Sequence, residues 1–248
     1  MSKRFYIVAF AAFLIAALAY LFFSYIHIYR SIGAANLASP DTQHFYTVGN
    51  PAAGAGKTYV SLGDSLTAGV GVDDYTKSYP YLLARSLAGT ASVELKNFSW
   101  PGAKTKDVLA SLPAALAEKP DIVTLLVGVN DIHDRKMTAA EFEQNYRVIL
   151  ETLTKKTKAK IYVISIPYIG ARALLLPPFN YYFNYETTKF NGIIRRLAGE
   201  YKLPYIDIAT PTRALFKNDE SLYSVDAFHP SAAGYKLWAD ILYADINR

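Results

Sequence analysis

The chain opens with one long apolar run. From Phe5 to Ile26 no residue is charged and nearly all are apolar. A helix needs about 20 such residues to cross the ~30 Å hydrocarbon core of a bilayer. Lys3 and Arg4 precede the run, and Tyr20, Tyr25 and Tyr29 gather near its far end. Cations favour the cytoplasmic side, and amphipathic rings favour the membrane interface. Residues 1–30 are therefore expected to form a membrane anchor, with the rest of the chain on the extracytoplasmic side. A cleaved signal peptide is the alternative. Its apolar region would normally be about 7–15 residues, but small residues do follow at Gly33-Ala34-Ala35 and Leu37-Ala38-Ser39.

Residues 31–56 mix Gly, Ala, Ser, Pro and Asn without a sustained period and read as a linker. From Lys57 onward the pattern changes. Short β-branched and aliphatic runs predict strands at Thr58–Leu62, Val93–Phe98, Asp121–Val127, Lys160–Ile166 and Pro204–Ile208. Runs without polar alternation suit strands buried on both faces of a parallel sheet. Helical spacing between them predicts helices at Tyr79–Leu87, Thr105–Ala117, Ala139–Thr154, Thr187–Tyr201 and Ala232–Asn247, with Thr138 and Glu141 forming a capping box. Strand and helix in alternation imply an α/β domain over residues 57–248, a doubly wound parallel sheet with helices on both faces. Residues Pro167–Phe183 break the rhythm with a Leu, Pro, Phe and Tyr-rich stretch. Such a loop at the carboxyl edge of the sheet either covers or accepts an acyl chain, touches the membrane, or is buried against the domain.

Composition narrows the chemistry. The chain has no cysteine, which removes disulfides, thiolate metal sites and cysteine nucleophiles. Its net charge of +5 owes three basic residues to the apolar end; without Lys3, Arg4 and Arg30, 23 basic residues face 21 acidic ones. That balance carries no nucleic-acid footprint. Gly54-Ala55-Gly56-Lys57-Thr58 invites comparison with a phosphate-binding loop, but Pro51 stands where the first glycine is required and a strand, not a helix, is predicted to follow.

Three short blocks follow three predicted strands: Gly63-Asp64-Ser65, then Gly102, then Gly128-Val129-Asn130-Asp131. The carboxyl ends of parallel strands line the ligand crevice, so the blocks share one edge. A fourth block, Asp226-Ala227-Phe228-His229-Pro230, precedes the last helix. A serine hydroxyl needs an adjacent base to become a nucleophile. His229 can serve, and Asp226, three residues earlier, can orient it and stabilise the imidazolium. Attack on an ester carbonyl creates an oxyanion that needs preplaced donors, each worth about 3–4 kcal/mol. The backbone N–H of Ser65, the N–H of Gly102 and the side-chain amide of Asn130 are the candidates. Asp64 and Gly63 read as turn residues, Asp131 as a brace for the Asn130 loop, and Asn97 as a possible holder of the second loop. His133 reads as an exposed loop histidine, and His44 as a linker residue without a partner.

Together these blocks resemble the SGNH, or GDSL-type, hydrolase family across most of residues 57–248. The resemblance implies a flavodoxin-like sheet of five parallel strands, a nucleophile at Ser65, oxyanion donors at Ser65, Gly102 and Asn130, and a base and orienter at His229 and Asp226. It implies hydrolysis of esters, thioesters or glycan acyl groups through an acyl-enzyme, with no metal; the apolar anchor and the Leu, Pro and Phe-rich loop favour carboxylic esters, lipid-like or short-chain, and no cofactor is expected. O-acetylesterase or acyl-transfer action on cell-envelope glycans is the alternative, and an inactive membrane-tethered binding module a third reading. Trp100-Pro101 departs from the smaller residues usual before the glycine, which alters the shape of the pocket.

Overall fold

The structure is a computed structural model that describes residues 3–53, 56–134, 136–168 and 170–248. Gly54 and Ala55 of the loop compared above lie outside the described residues. Helix α1 (Lys3–Ala35) is apolar on every side, and its large side chains from Phe5 to Phe23 are exposed to the surroundings. It is long and apolar enough to cross a membrane.

The sheet holds β1 (Phe45–Gly49), β2 (Lys57–Gly63), β3 (Ser92–Ser99), β4 (Ile122–Leu126), β5 (Lys160–Ile164) and β6 (Tyr205–Ile206), in the order β1-β3-β2-β4-β5-β6. The five strands β2 to β6 run parallel in the flavodoxin-like order, as expected. Every residue of β4 is buried, whereas β3, nearer the edge, alternates. This is the difference between a strand covered on both faces and one partly open.

Helices α2 (Tyr79–Ala88) and α8 (Ala232–Ile246) pack together on one side. Helices α3 (Thr105–Ala117), α5 (Ala139–Lys156) and α6 (Phe179–Glu200) pack in succession. Two shorter helices are α4 (Val129–His133) and α7 (Ala209–Asn218). The predicted capping box forms: Thr138 Oγ1 accepts from Glu141 N–H at 3.1 Å, and Glu141 accepts from Thr138 N–H at 2.8 Å.

Three expectations need correction. The stretch read as a linker carries β1, which pairs antiparallel with β3 from Phe45↔Lys96 to Gly49↔Ser92. Five residues with one buried side chain give a weak pattern; pairing to the edge of β3 supplies what the pattern lacks. Helix α6 begins at Phe179, not Thr187, because Phe183 and Thr187 continue its buried face one turn at a time. Helix α7 was not predicted. Its start is fixed by partners elsewhere in the fold: Ser165 Oγ accepts from the N–H groups of Ile208 and Ala209, and Asp207 accepts from Thr210. Within Pro167–Phe183, Leu174 and Leu175 are buried in the domain core.

Candidate active site

Gly63 pairs with Ser99 of β3 and with Leu126 of β4. The three central strands therefore end level, and the loops that leave them start side by side. A methyl group on Gly63 would stand 2.1 Å from Thr67 Oγ1 and 2.5 Å from the Leu126 carbonyl oxygen, so the close approach of the first and third loops requires glycine. After Gly63 the chain runs through successive turns: Thr67 and Ala68 N–H donate to Asp64 O, and Val70 N–H donates to Ser65 O.

Ser65 lies 164 residues before His229, yet its Oγ is 3.0 Å from His229 Nε2. On the other side of the ring, His229 Nδ1 is 2.5 Å from Asp226 Oδ2. This pairing assigns the proton to Nδ1, donated to the carboxylate, and leaves Nε2 to accept from the serine hydroxyl. Asp226 Oδ1 accepts from the N–H groups of Phe228 and His229 at 3.0 and 2.9 Å. Burial works against the charge of Asp226, but the hydrogen bond and charge of His229, with these backbone donors, hold its pKa below the ordinary carboxylate value. All three side chains are nearly sealed, Ser65 and His229 at 7% exposure and Asp226 at 1%.

The Asp226–His229 segment is a closed loop. Tyr223 and Pro230 form an antiparallel bridge, Ser224 N–H donates to His229 O, and Ala227 takes a left-handed φ of 57°. Two contacts that sequence reasoning missed join this loop to the turn that carries Ser65. Tyr235 Oη donates to Val70 O at 2.7 Å. Gly71, at φ 110°, lies so close that an added methyl would meet Pro230 O at 2.3 Å. The glycines at 69 and 71 were the available signal.

Gly102 has φ 82°, and nothing lies within 4 Å of where its Cβ would stand. Its glycine serves a left-handed backbone rather than a crowded one. Asn130 Nδ2 donates to Ala103 O at 3.0 Å, which ties the third block to the second and leaves the other amide hydrogen unspent. Among the described residues the N–H groups of Ser65 and Gly102 have no internal acceptor. Asp131 is fully buried and accepts from Thr105 N–H and, at 2.6 Å, from Thr105 Oγ1. It thus clamps the start of α3 to the Asn130 loop. Burial raises its pKa against these hydrogen bonds.

Asp64 is also fully buried. Burial lifts its pKa to about 7, with Asp131 adding repulsion, against the Leu66 N–H that lowers it. Asn97 holds the second loop from beneath: its Oδ1 accepts from Ser61 and Ser99 hydroxyls, and its Nδ2 donates to Asp41. Asp41 in turn accepts from Tyr46 Oη at 2.6 Å and sits 3.2 Å from His44 Nδ1. His44 therefore has a partner, contrary to the sequence reading. His133 is not an exposed loop residue either. Its ring lies 4.5 Å from that of Phe183 and 5.8 Å from that of Phe228, and burial lowers its pKa to about 4.

The sequence profile of the GDSL-like lipase/acylhydrolase family matches residues 61–237. An acetylxylan esterase of Xylanibacter ruminicola is 30% identical over 210 residues, covering 75% of this chain. The chain spans 42% of that relative's length. The spore germination lipase LipC of Bacillus licheniformis is 26% identical over 213 residues, which cover 75% of this chain and 94% of that protein. Among solved structures, a lipase/acylhydrolase from Enterococcus faecalis superposes with a TM-score of 0.63 at 26% identity, over 77% of this chain and 95% of the other.

Proposed function

This chain belongs to the GDSL-like lipase/acylhydrolase family, and on that premise we propose that it is a serine hydrolase cleaving carboxylic esters through an acyl-enzyme on Ser65. The observation that carries the proposal is the unbroken line from Ser65 Oγ through His229 to Asp226, with separations of 3.0 and 2.5 Å. His229 Nε2 takes the hydroxyl proton as Oγ attacks the ester carbonyl. The carbonyl oxygen becomes an oxyanion held by the N–H groups of Ser65 and Gly102 and the free amide hydrogen of Asn130. Collapse of this intermediate breaks the bond to the alkoxy group, which leaves as the alcohol with the proton from His229. Water then attacks the acyl-enzyme, its proton passing to Nε2, and Ser65 regains a proton as the acid departs.

The substrates best suited are lipid-like or short-chain acyl esters, since the domain follows a helix suited to lipid. The alternative, removal of acetyl groups from cell-envelope glycans, draws on the name of the acetylxylan esterase relative. We read α1 as an uncleaved anchor with the domain on the extracytoplasmic side. Ser24 and Ile28 in its last turns are buried against the domain, so cutting after residue 35 would strip part of the core. Ser65→Ala is expected to abolish turnover of p-nitrophenyl acetate and labelling by a fluorophosphonate probe while the melting temperature holds. Turnover retained by that variant would overturn the assignment. Lysophospholipid and acetylated cell-envelope glycan offered side by side separate the two substrate classes.

A further inference from the structure

The outer end of α1 sets a depth marker on the domain. The 22 residues from Phe5 to Ile26 span about 33 Å at 1.5 Å per residue, close to the ~30 Å hydrocarbon thickness. Tyr25 and His27 therefore lie at the boundary between acyl chains and headgroups. The helix docks on the domain at this level. Ser24 and Ile28, one turn apart, are buried, and Ile32, a turn further, packs on the core. His27 Nε2 is 2.9 Å from the Ala173 carbonyl, and the Tyr25 ring lies 6.1 Å from that of Phe179. Whatever surrounds Ala173 and Phe179 shares that depth.

What surrounds them is the start of α6. Tyr181, Tyr182 and Tyr185 stand 71%, 51% and 65% exposed. Positions 181 and 185 are one turn apart, so their rings line one face. Three neighbouring tyrosines open to solvent are poorly suited to water, but the ring and hydroxyl suit the interface between acyl chains and headgroups. The same segment reaches the catalytic loop. Ala171 N–H donates to Ala227 O at 2.7 Å, and the rings of Phe183, His133, Phe228 and His229 follow one another at 4.5, 5.8 and 5.0 Å.

We propose that the loop at 171–178 and the first turns of α6 form a surface that rests in the lipid headgroup layer, so that the catalytic loop lies beside the bilayer and takes amphiphilic esters from it. This rests on reading α1 as an anchor, and the test keeps the two apart. The chain lacks cysteine, so single cysteines can be introduced at Leu18→Cys in the span, at Tyr182→Cys and Tyr185→Cys on the surface, and at Lys158→Cys beside the amino end of β5. Each full-length variant is labelled with an environment-sensitive fluorophore and reconstituted into phosphatidylcholine–phosphatidylglycerol vesicles whose lipids carry a nitroxide near the headgroup or at mid-chain. Positions 182 and 185 are expected to be quenched several-fold more strongly by the headgroup-proximal nitroxide than position 158, with position 18 quenched by the mid-chain one. Quenching at 18 with 182 and 185 no different from 158 overturns the surface and spares the anchor. Absence of quenching at 18 overturns both.

Discussion

Asn130 offers the sharpest test of the site, because its amide has two hydrogens with different tasks. One is spent on Ala103 O at 3.0 Å; the other is assigned to the oxyanion. Asn130→Ala removes both. Loss of one oxyanion donor costs about 3–4 kcal/mol in the transition state, or roughly 10²–10³ in kcat. Loss of the other leaves the Ala103 carbonyl, on a residue with no exposure, without its partner, a penalty of about 1–3 kcal/mol that falls on stability. The two effects are read separately. The acylation burst with p-nitrophenyl acetate reports the first, with KM little changed because the ground-state carbonyl makes weaker use of the donor. Urea denaturation reports the second. Asn130→Asp keeps the shape, but a carboxylate donates nothing to either oxygen, so its burst should be at least as slow. A burst for Asn130→Ala within about threefold of the parent, far short of one donor's worth, would refute the assignment. So would a loss confined to KM.

Three further expectations concern stability. Asp64, raised to about 7 by burial, keeps its proton in the fold where the unfolded chain has lost it, so its contribution is present below about pH 4 and disappears as the pH rises through 7. His133, lowered to about 4 by burial, stays neutral where the unfolded chain takes a proton at about 6.5, so its contribution is present above that value and disappears as the pH falls through 4. The slopes oppose each other, and each variant should unmask the other group: the melting temperature of Asp64→Asn should climb from pH 4.5 to 7 and that of His133→Phe should fall, and profiles parallel to the parent's would refute the linkage. Gly63→Ala should lose about 2–3 kcal/mol by urea denaturation, because its methyl would overlap the Leu126 carbonyl oxygen at 2.5 Å; parental stability would show that the strand ends can part freely.

The elements legible in the sequence were those whose own pattern reflects their burial, on both faces for a central strand and along one stripe for a helix. The run Ile122-Val123-Thr124-Leu125-Leu126 became a fully buried strand, and Thr105–Ala117 became a helix over the same residues. Elements specified by their neighbours were illegible. Strand β1 exists because β3 has an open edge and because Asp41 is held by Asn97 and Tyr46. Helix α7 starts where Ser165, some 44 residues earlier, accepts its first N–H groups. At the site, residue types and order pointed to the groups that the structure brings together, a serine just after β2 and an aspartate and histidine just before α8. The supports did not show. A tyrosine reads as core until its hydroxyl is found on Val70, and His133 reads as a surface residue until Phe183 and Phe228 close over it.

These supports explain how groups so distant in sequence meet. The hydroxyl is placed by β2, locked on both sides by strands that end level with it. The imidazole is placed by a short loop that satisfies its own backbone groups and ties its carboxylate to two of its own N–H groups. Neither unit alone fixes the separation of Oγ and Nε2. That distance is set where the units touch, by the Tyr235 hydroxyl on Val70 O and by Gly71 beneath Pro230. Both contacts involve backbone atoms a few residues from Ser65 and His229, so a shift of either is carried to the hydrogen bond between them with little room to relax. On the proposed function, such fixed spacing is the condition under which preplaced dipoles act on a developing oxyanion without first having to reorient.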